Sequence, residues 1–197
     1  TEQAVFYPET VYTRDAETGI FEAVDNTLAE EEDGRHFINR KERFAARFSR
    51  EEENDELFSV KSGMYGVTVY AKKSLKHRNT GVKPLVEKKE TGGAVKTDVV
   101  RYCDVEAGAD YEYSVQGSGV KEEIVIKEKS AVYRYPFIMK CENVIPELDG
   151  KNNRIAFKSA ESGEEIFFIP APFMTDANGI SSGKAEYSMR TAADGNI

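Results

Sequence analysis

Apolar and polar positions alternate with a period of two along most of this chain. Tyr65, Val67 and Val69 alternate with Gly66, Thr68 and Tyr70. Val95, Thr97 and Val99 lead into Arg101 and Cys103, and Tyr111, Tyr113 and Val115 share one face. Val120, Ile124 and Ile126 share another, with Lys121, Glu123, Val125 and Lys127 opposite. Tyr133, Tyr135, Phe137 and Met139 continue the pattern. Successive side chains of a strand point to opposite faces, so this periodicity predicts half-buried strands. Thr18-Gly19, Asp33-Gly34, Asp149-Gly150, Ser162-Gly163 and Asn178-Gly179 punctuate the runs as turn dipeptides. Arg154 to Phe157 and Glu165 to Ile169 flank one of them and predict a hairpin. The expected fold is all-β, an antiparallel β-sandwich or two packed β-sheets with little helix.

One segment competes. Phe37, Lys41, Phe44 and Phe48 follow helical spacing, while Phe44, Ala46 and Phe48 share one strand face. The strand reading is preferred. The acidic runs Ala29 to Asp33 and Glu51 to Glu56 read as exposed turns. Pro170 and Pro172 end the run Glu165 to Ile169, because proline fixes φ and donates no ladder hydrogen bond. Ile166, Phe168 and Ile169 are expected to be buried on both faces of their strand, with Phe173 covering a sheet edge beyond the prolines.

The 197 residues, 40% hydrophobic, suffice for one core. They are read as a single β-rich domain over 1–197, the alternative being two closely packed sub-sheets dividing near 90. A formal net charge of -8 fits nucleic acid poorly, since phosphates need a basic face. The lysines and arginine of Lys72 to Arg78 read as a solvated loop. No apolar run approaches the roughly 18 residues of a membrane helix, so no membrane insertion is expected.

Chemistry is sparse. Paired acids such as Glu122-Glu123 and Glu164-Glu165 point to opposite strand faces, so neighbours do not face each other across a cleft. Nucleophile elbows, phosphate loops and zinc-protease motifs are missing from the sequence. Two histidines, His36 and His77, and two cysteines, Cys103 and Cys141, lack metal spacing. Asp104, Glu106, Asp110 and Glu112 offer hard oxygen ligands around a glycine, but without EF-hand spacing. They read as turn acids. Catalytic, cofactor and metal residues are therefore all expected to be none. The residues leave a Cys103–Cys141 disulfide and two free thiols both open. Tyr102, Tyr111, Tyr113, Tyr133 and Tyr135 are the candidate glycan platform, with half-buried tyrosines of sheet edges as the plainer reading.

Several blocks carry a resemblance. They are Tyr7-Pro8-Glu9, Phe21 to Leu28, Phe44 to Phe48, Leu57 to Gly63 and Val100 to Val105 with Gly108, Asp110 and Tyr113. Gly119 to Ile126 and Ile166 to Gly179 complete them. In this order they resemble the β-rich N-terminal region of large secreted Gram-positive Rhs/YD-repeat proteins. These are wall-associated and polymorphic-toxin-like, and often carry a DNRLRE domain. The most specific parts are Val120 to Ile126 and Ile169 to Gly179. The resemblance implies a fragment of a larger secreted protein, extracellular or cell-wall associated, with any toxic activity downstream. It implies a non-catalytic structural or interaction module and no enzyme. The alternative is a carbohydrate-binding module for cell-wall glycan. Implied partners are other domains of the same parent protein, or wall glycan. No catalytic residue carries over. The family usually has a plain hydrophobic residue where Cys103 and Cys141 stand, so a bridge would be a local addition.

Overall fold

The computed structural model describes residues 12–14, 18–23, 25–39, 45–50, 55–72, 85–91, 95–106, 108–116, 119–130, 132–191 and 197. Every regular element among them is a strand. The protein is all-β, built from several sheets that are antiparallel but for one short contact and do not close into a barrel. A six-stranded sheet has the order β13-β8-β7-β6-β5-β4. Its strands are β4 (Leu28–Glu30), β5 (His36–Asn39), β6 (Ala45–Ser49), β7 (Glu56–Ser62), β8 (Tyr65–Ala71) and β13 (Phe137–Glu142). Facing it is a five-stranded sheet of β3 (Asp25–Asn26), β9 (Leu85–Thr91), β10 (Val95–Glu106), β11 (Ala109–Gln116) and β12 (Gly119–Ile126). A three-stranded sheet joins β14 (Val144–Asp149), β15 (Arg154–Ser159) and β16 (Glu165–Ile169). Two small hairpins, β1 (Tyr12–Arg14) with β2 (Phe21–Ala23) and β17 (Met174–Thr175) with β18 (Ser181–Ser182), complete the described elements.

Adjacent strands in the chain mostly pair with each other, because short turns favour antiparallel neighbours. β4 to β8 form one meander and β9 to β12 another. Three crossings tie the six- and five-stranded sheets together: β3 to β4, β8 to β9 and β12 to β13. The preferred strand reading of Phe37 to Ser49 is confirmed where it is described, since Phe37 lies in β5 and Ala46 and Phe48 are fully buried in β6. Phe44 and the basic loop beyond Lys72 lie outside the described residues. The expectation that Tyr133 and Tyr135 continue a strand fails. Both precede β13, and Pro136, which has no N–H to donate, separates them from it.

One apolar cluster runs between the layers. Ala46, Phe48, Leu57, Val67 and Val69 enter it from the six-stranded sheet, and Val100, Tyr102, Tyr111, Tyr113 and Val115 from the five-stranded one. Val144, Ile155 and Phe157 of the three-stranded sheet join the same core. A left-handed Asp104, with φ of 52°, accompanies a register shift in β10 between Tyr102 and Glu106. Such a bulge bends the strand and lets both Tyr102 and Val105 be buried. At the other end of β10, Asp98 is buried and its Oδ2 accepts the Leu28 N–H at 2.9 Å. That bond anchors the chain where it passes from the five-stranded sheet into β4.

β16 corrects another expectation. The run ends at Ile169 before the prolines, as read, but Phe168 is 58% and Phe173 70% exposed. The three-stranded sheet covers the core with one face only. Phe168 pairs with Ala156 in register on the opposite, outer face. Arg154 lies over its ring at 4.8 Å. Ile166 and Ile169 are half-buried and pack against the core.

Candidate functional site

The tyrosines proposed as a platform are mostly structural. Tyr102, Tyr111 and Tyr113 are buried, Tyr113 completely. Alternation put Tyr111 and Tyr113 on one face, and that face is the one turned to the second sheet. Tyr113 packs against Phe58 with ring centroids 4.8 Å apart, and against Tyr102 edge-on at 5.9 Å. Tyr111 meets Phe137 at 5.4 Å and Tyr135 at 6.2 Å. Offset and edge-on rings add specificity to the area they bury. The Tyr102 hydroxyl donates across the sandwich toward the carbonyls of Ser49, at 2.8 Å, and Leu57, at 2.6 Å. Tyr135 is half-buried and Tyr133 is exposed. Three of the five rings are therefore closed to a ligand.

Tyr113 donates a 2.6 Å hydrogen bond to Oε1 of Glu122, its cross-strand partner on β12. Glu122 keeps open surface along its side chain, yet the protein packed around its carboxylate pushes the pKa up to about 6. Desolvation outweighs the Tyr113 hydrogen bond, which acts in the opposite direction. Burial, with the nearby Glu122 charge, raises Tyr187 to about 12. Tyr187 is held there by its own N–H, which donates to Asn153 Oδ1 at 3.0 Å. This carboxyl beside two phenols is raised where Asp33, Asp110 and Asp149 are lowered. Neither the Tyr113–Glu122 pairing nor the placement of Tyr187 was legible from the strand spacing.

Three of the four acids considered for calcium, Asp104, Asp110 and Glu112, lie in ion pairs with basic side chains of the protein. The Lys127 ammonium lies 2.5 Å from Asp104 and 2.7 Å from Asp110. These bonds raise the Lys127 pKa. Asp110 is lowered on balance: desolvation pushes it up, and Lys127 and the Asp104 N–H pull it further down. Glu112 is buried on the same strand and pairs with Arg101 at 2.7 Å.

A second polar cluster was not singled out in sequence. The β4–β5 turn brings ligating atoms of Glu31, Asp33 and His36 within 4.8 Å of one another, and these three residues could ligate a metal. Arg47 reaches into them from β6, bonding Glu31 Oε2 and standing 3.2 Å from His36 Nδ1. The site thus carries an internal guanidinium as its cation. The Arg35 N–H, donated to Asp33, is the main cause that holds the Asp33 carboxyl below its usual range.

Both cysteines carry free thiols. Cys141 packs against the core from β13, whereas Cys103 follows inward-facing Tyr102 on β10 and lies among Asp110, Arg101 and Lys127. Opposite faces of different sheets keep the sulfurs apart. Burial raises both thiol pKa values and leaves little thiolate.

The outer face of the three-stranded sheet forms a shallow depression lined by Glu147, Asp149, Arg154, Lys158 and Glu165. Arg154 pairs with Glu165 at 2.5 Å and Lys158 with Glu147 at 2.5 Å. Phe168 adjoins this charged lattice through Arg154, and Phe173, Met174 and Ile180 follow it in the chain with exposed side chains. Comparison with family profiles, with curated proteins and with solved structures finds no match to this chain.

Proposed function

We propose that this chain is a non-catalytic extracellular structural or interaction module of a large wall-associated protein of the Rhs type. The observation that carries the reading is the apolar surface of the C-terminal layer. Phe168, Phe173, Met174 and Ile180 are all exposed within one short segment. Exposed apolar side chains gathered in this way favour contact with another protein surface. Ile169 to Gly179, which holds Phe173 and Met174 of these, is among the most specific parts of the Rhs-type resemblance. Its partner in this reading is a neighbouring domain of the same parent protein. The glycan-binding alternative needs an open aromatic face, and burial of Tyr102, Tyr111 and Tyr113 removes most of the one proposed.

Hydrogen–deuterium exchange on the module, alone and within its longer parent protein, tests the proposal. Protection confined to residues 165–182 in the parent is expected. Unchanged exchange there, with retention of the module on a cell-wall glycan array, would replace the proposal by the glycan reading.

A further inference from the structure

The edge of the five-stranded sheet carries a second interaction surface, and it is self-complementary. β12 runs unbroken for 8 residues and ends the sheet, pairing with β11 alone among the described strands. The ladder tells which of its backbone groups are free. Lys127 donates its N–H to the carbonyl of Gly108 at 2.7 Å, in register with the pairs Ile126–Ala109 and Val125–Asp110. Antiparallel ladders alternate, so Lys127, Val125, Glu123 and Lys121 bond β11. The N–H and C=O of Val120, Glu122, Ile124 and Ile126 then point away from the sheet.

A long open edge accepts any strand unless side chains select one. Here a two-fold axis through Glu122 gives a specific solution. It sets Lys121 opposite Glu123 of a second copy, and Glu123 opposite its Lys121. On the inner face it sets Val120 opposite Ile124, twice. Six backbone hydrogen bonds then form, two at Glu122 and four between Val120 and Ile124. Shifting the axis to Glu123 or Ile124 puts Lys121 against Val125 or Lys127, with no charge pair. Cross-strand opposite charges and apolar pairs stabilise a sheet, and like charges directly opposed destabilise it.

We propose that two copies of this chain associate through antiparallel pairing of β12, joining their five-stranded sheets into one. This surface is separate from the C-terminal apolar face and does not depend on the proposed function. Its one unfavourable contact is Glu122 against Glu122 of the second copy. The titratable groups around that carboxyl are Tyr113 from β11 and Tyr187 from the C-terminal segment, while Lys121 and Glu123 flank it on the other face of its own strand and pair with each other at 3.2 Å within one copy. Protonation relieves the opposition, so association tightens as pH falls through about 6.

Sedimentation equilibrium of the intact chain at about 100 μM, a concentration suited to small interfaces, tests this at about one pH unit either side of that value. A weak dimer is expected, at least about threefold tighter on the acid side, and Glu122→Gln should remove the pH dependence. Val120→Pro deletes an N–H that the monomer leaves unused, so it should keep the native near-ultraviolet circular dichroism and abolish the dimer. Lys121→Glu and Glu123→Lys should each weaken association about tenfold or more, and the double reversal should restore it. A monomer at both pH values overturns the proposal, as does a dimer that survives Val120→Pro or ignores the charge reversals.

Discussion

Single side chains do two kinds of work in this sandwich, and Tyr102 and Glu122 represent them. The Tyr102 hydroxyl bridges toward two main-chain carbonyls of the opposing sheet from a buried position. Tyr102→Phe keeps the ring and removes the donor, so it should cost about 1–3 kcal/mol in urea melts, the range for buried carbonyls left unsatisfied. A smaller change would mean that other donors satisfy Ser49 and Leu57. Glu122 acts through pH. Its folded pKa, about 6, lies above the ordinary value of 4.5. The folded state therefore binds the proton more tightly, and stability declines as pH rises through that window. Glu122→Gln should flatten this slope in melts taken across it, measured at dilution where the chain is monomeric. Asp33, Asp110 and Asp149 act oppositely, since their folded pKa values are lowered and their contribution is lost as pH falls below the ordinary carboxylate range.

At the scale of elements, the strands differ in how many faces they bury. β11 is buried on both faces through Val115, and its outward Glu112 is neutralised by Arg101. β15 is buried inwardly at Ile155 and Phe157, while β16 turns Phe168 to solvent. Two phenylalanines on adjacent strands should therefore respond differently to truncation. Phe157→Ala is expected to cost about 3–5 kcal/mol, because it leaves a core cavity. Phe168→Ala should cost less than about 1 kcal/mol, limited to its contact with Arg154. Equal losses in paired denaturant melts would place Phe168 in the core after all. The turn at Asn178-Gly179 shows local chemistry at its clearest. Gly179 takes φ of 81°, and Asp176 Oδ1 accepts the N–H groups of Asn178 and Ile180 at 2.9 Å each. The turn and its left-handed glycine were readable from the dipeptide itself, whereas the Asp176 cap and the negative φ of Asn178 come from the structure.

For the whole molecule, the order of crossings decides cooperativity. The five-stranded sheet takes β3 from the N-terminal half and β9 to β12 from later residues, while β13 returns to the six-stranded sheet. A cut near residue 90 leaves Phe48 and Phe58 without Tyr113. Fragments 1–90 and 91–197 are accordingly expected to lack cooperative melts, while the intact chain unfolds in one transition by fluorescence and circular dichroism. A half that melts cooperatively alone would establish two domains. Period two, turn dipeptides and prolines determined the all-β class, the hairpin β15–β16 and the end of β16, because these depend on nearest neighbours along the chain. Alternation also grouped Tyr111 with Tyr113 correctly. It could not say whether their shared face meets water or another sheet, since both environments accept tyrosine. Only the tertiary structure decided that, by setting Phe48, Phe58 and Phe137 against them. The same limit placed Phe168 wrongly: a strand apolar on both faces needs a layer on each side, and the third sheet has a core on one side alone. Contacts such as Arg47 with Glu31 and His36, or Tyr187 beside Glu122, join residues whose approach is governed by sheet order, which no local pattern encodes.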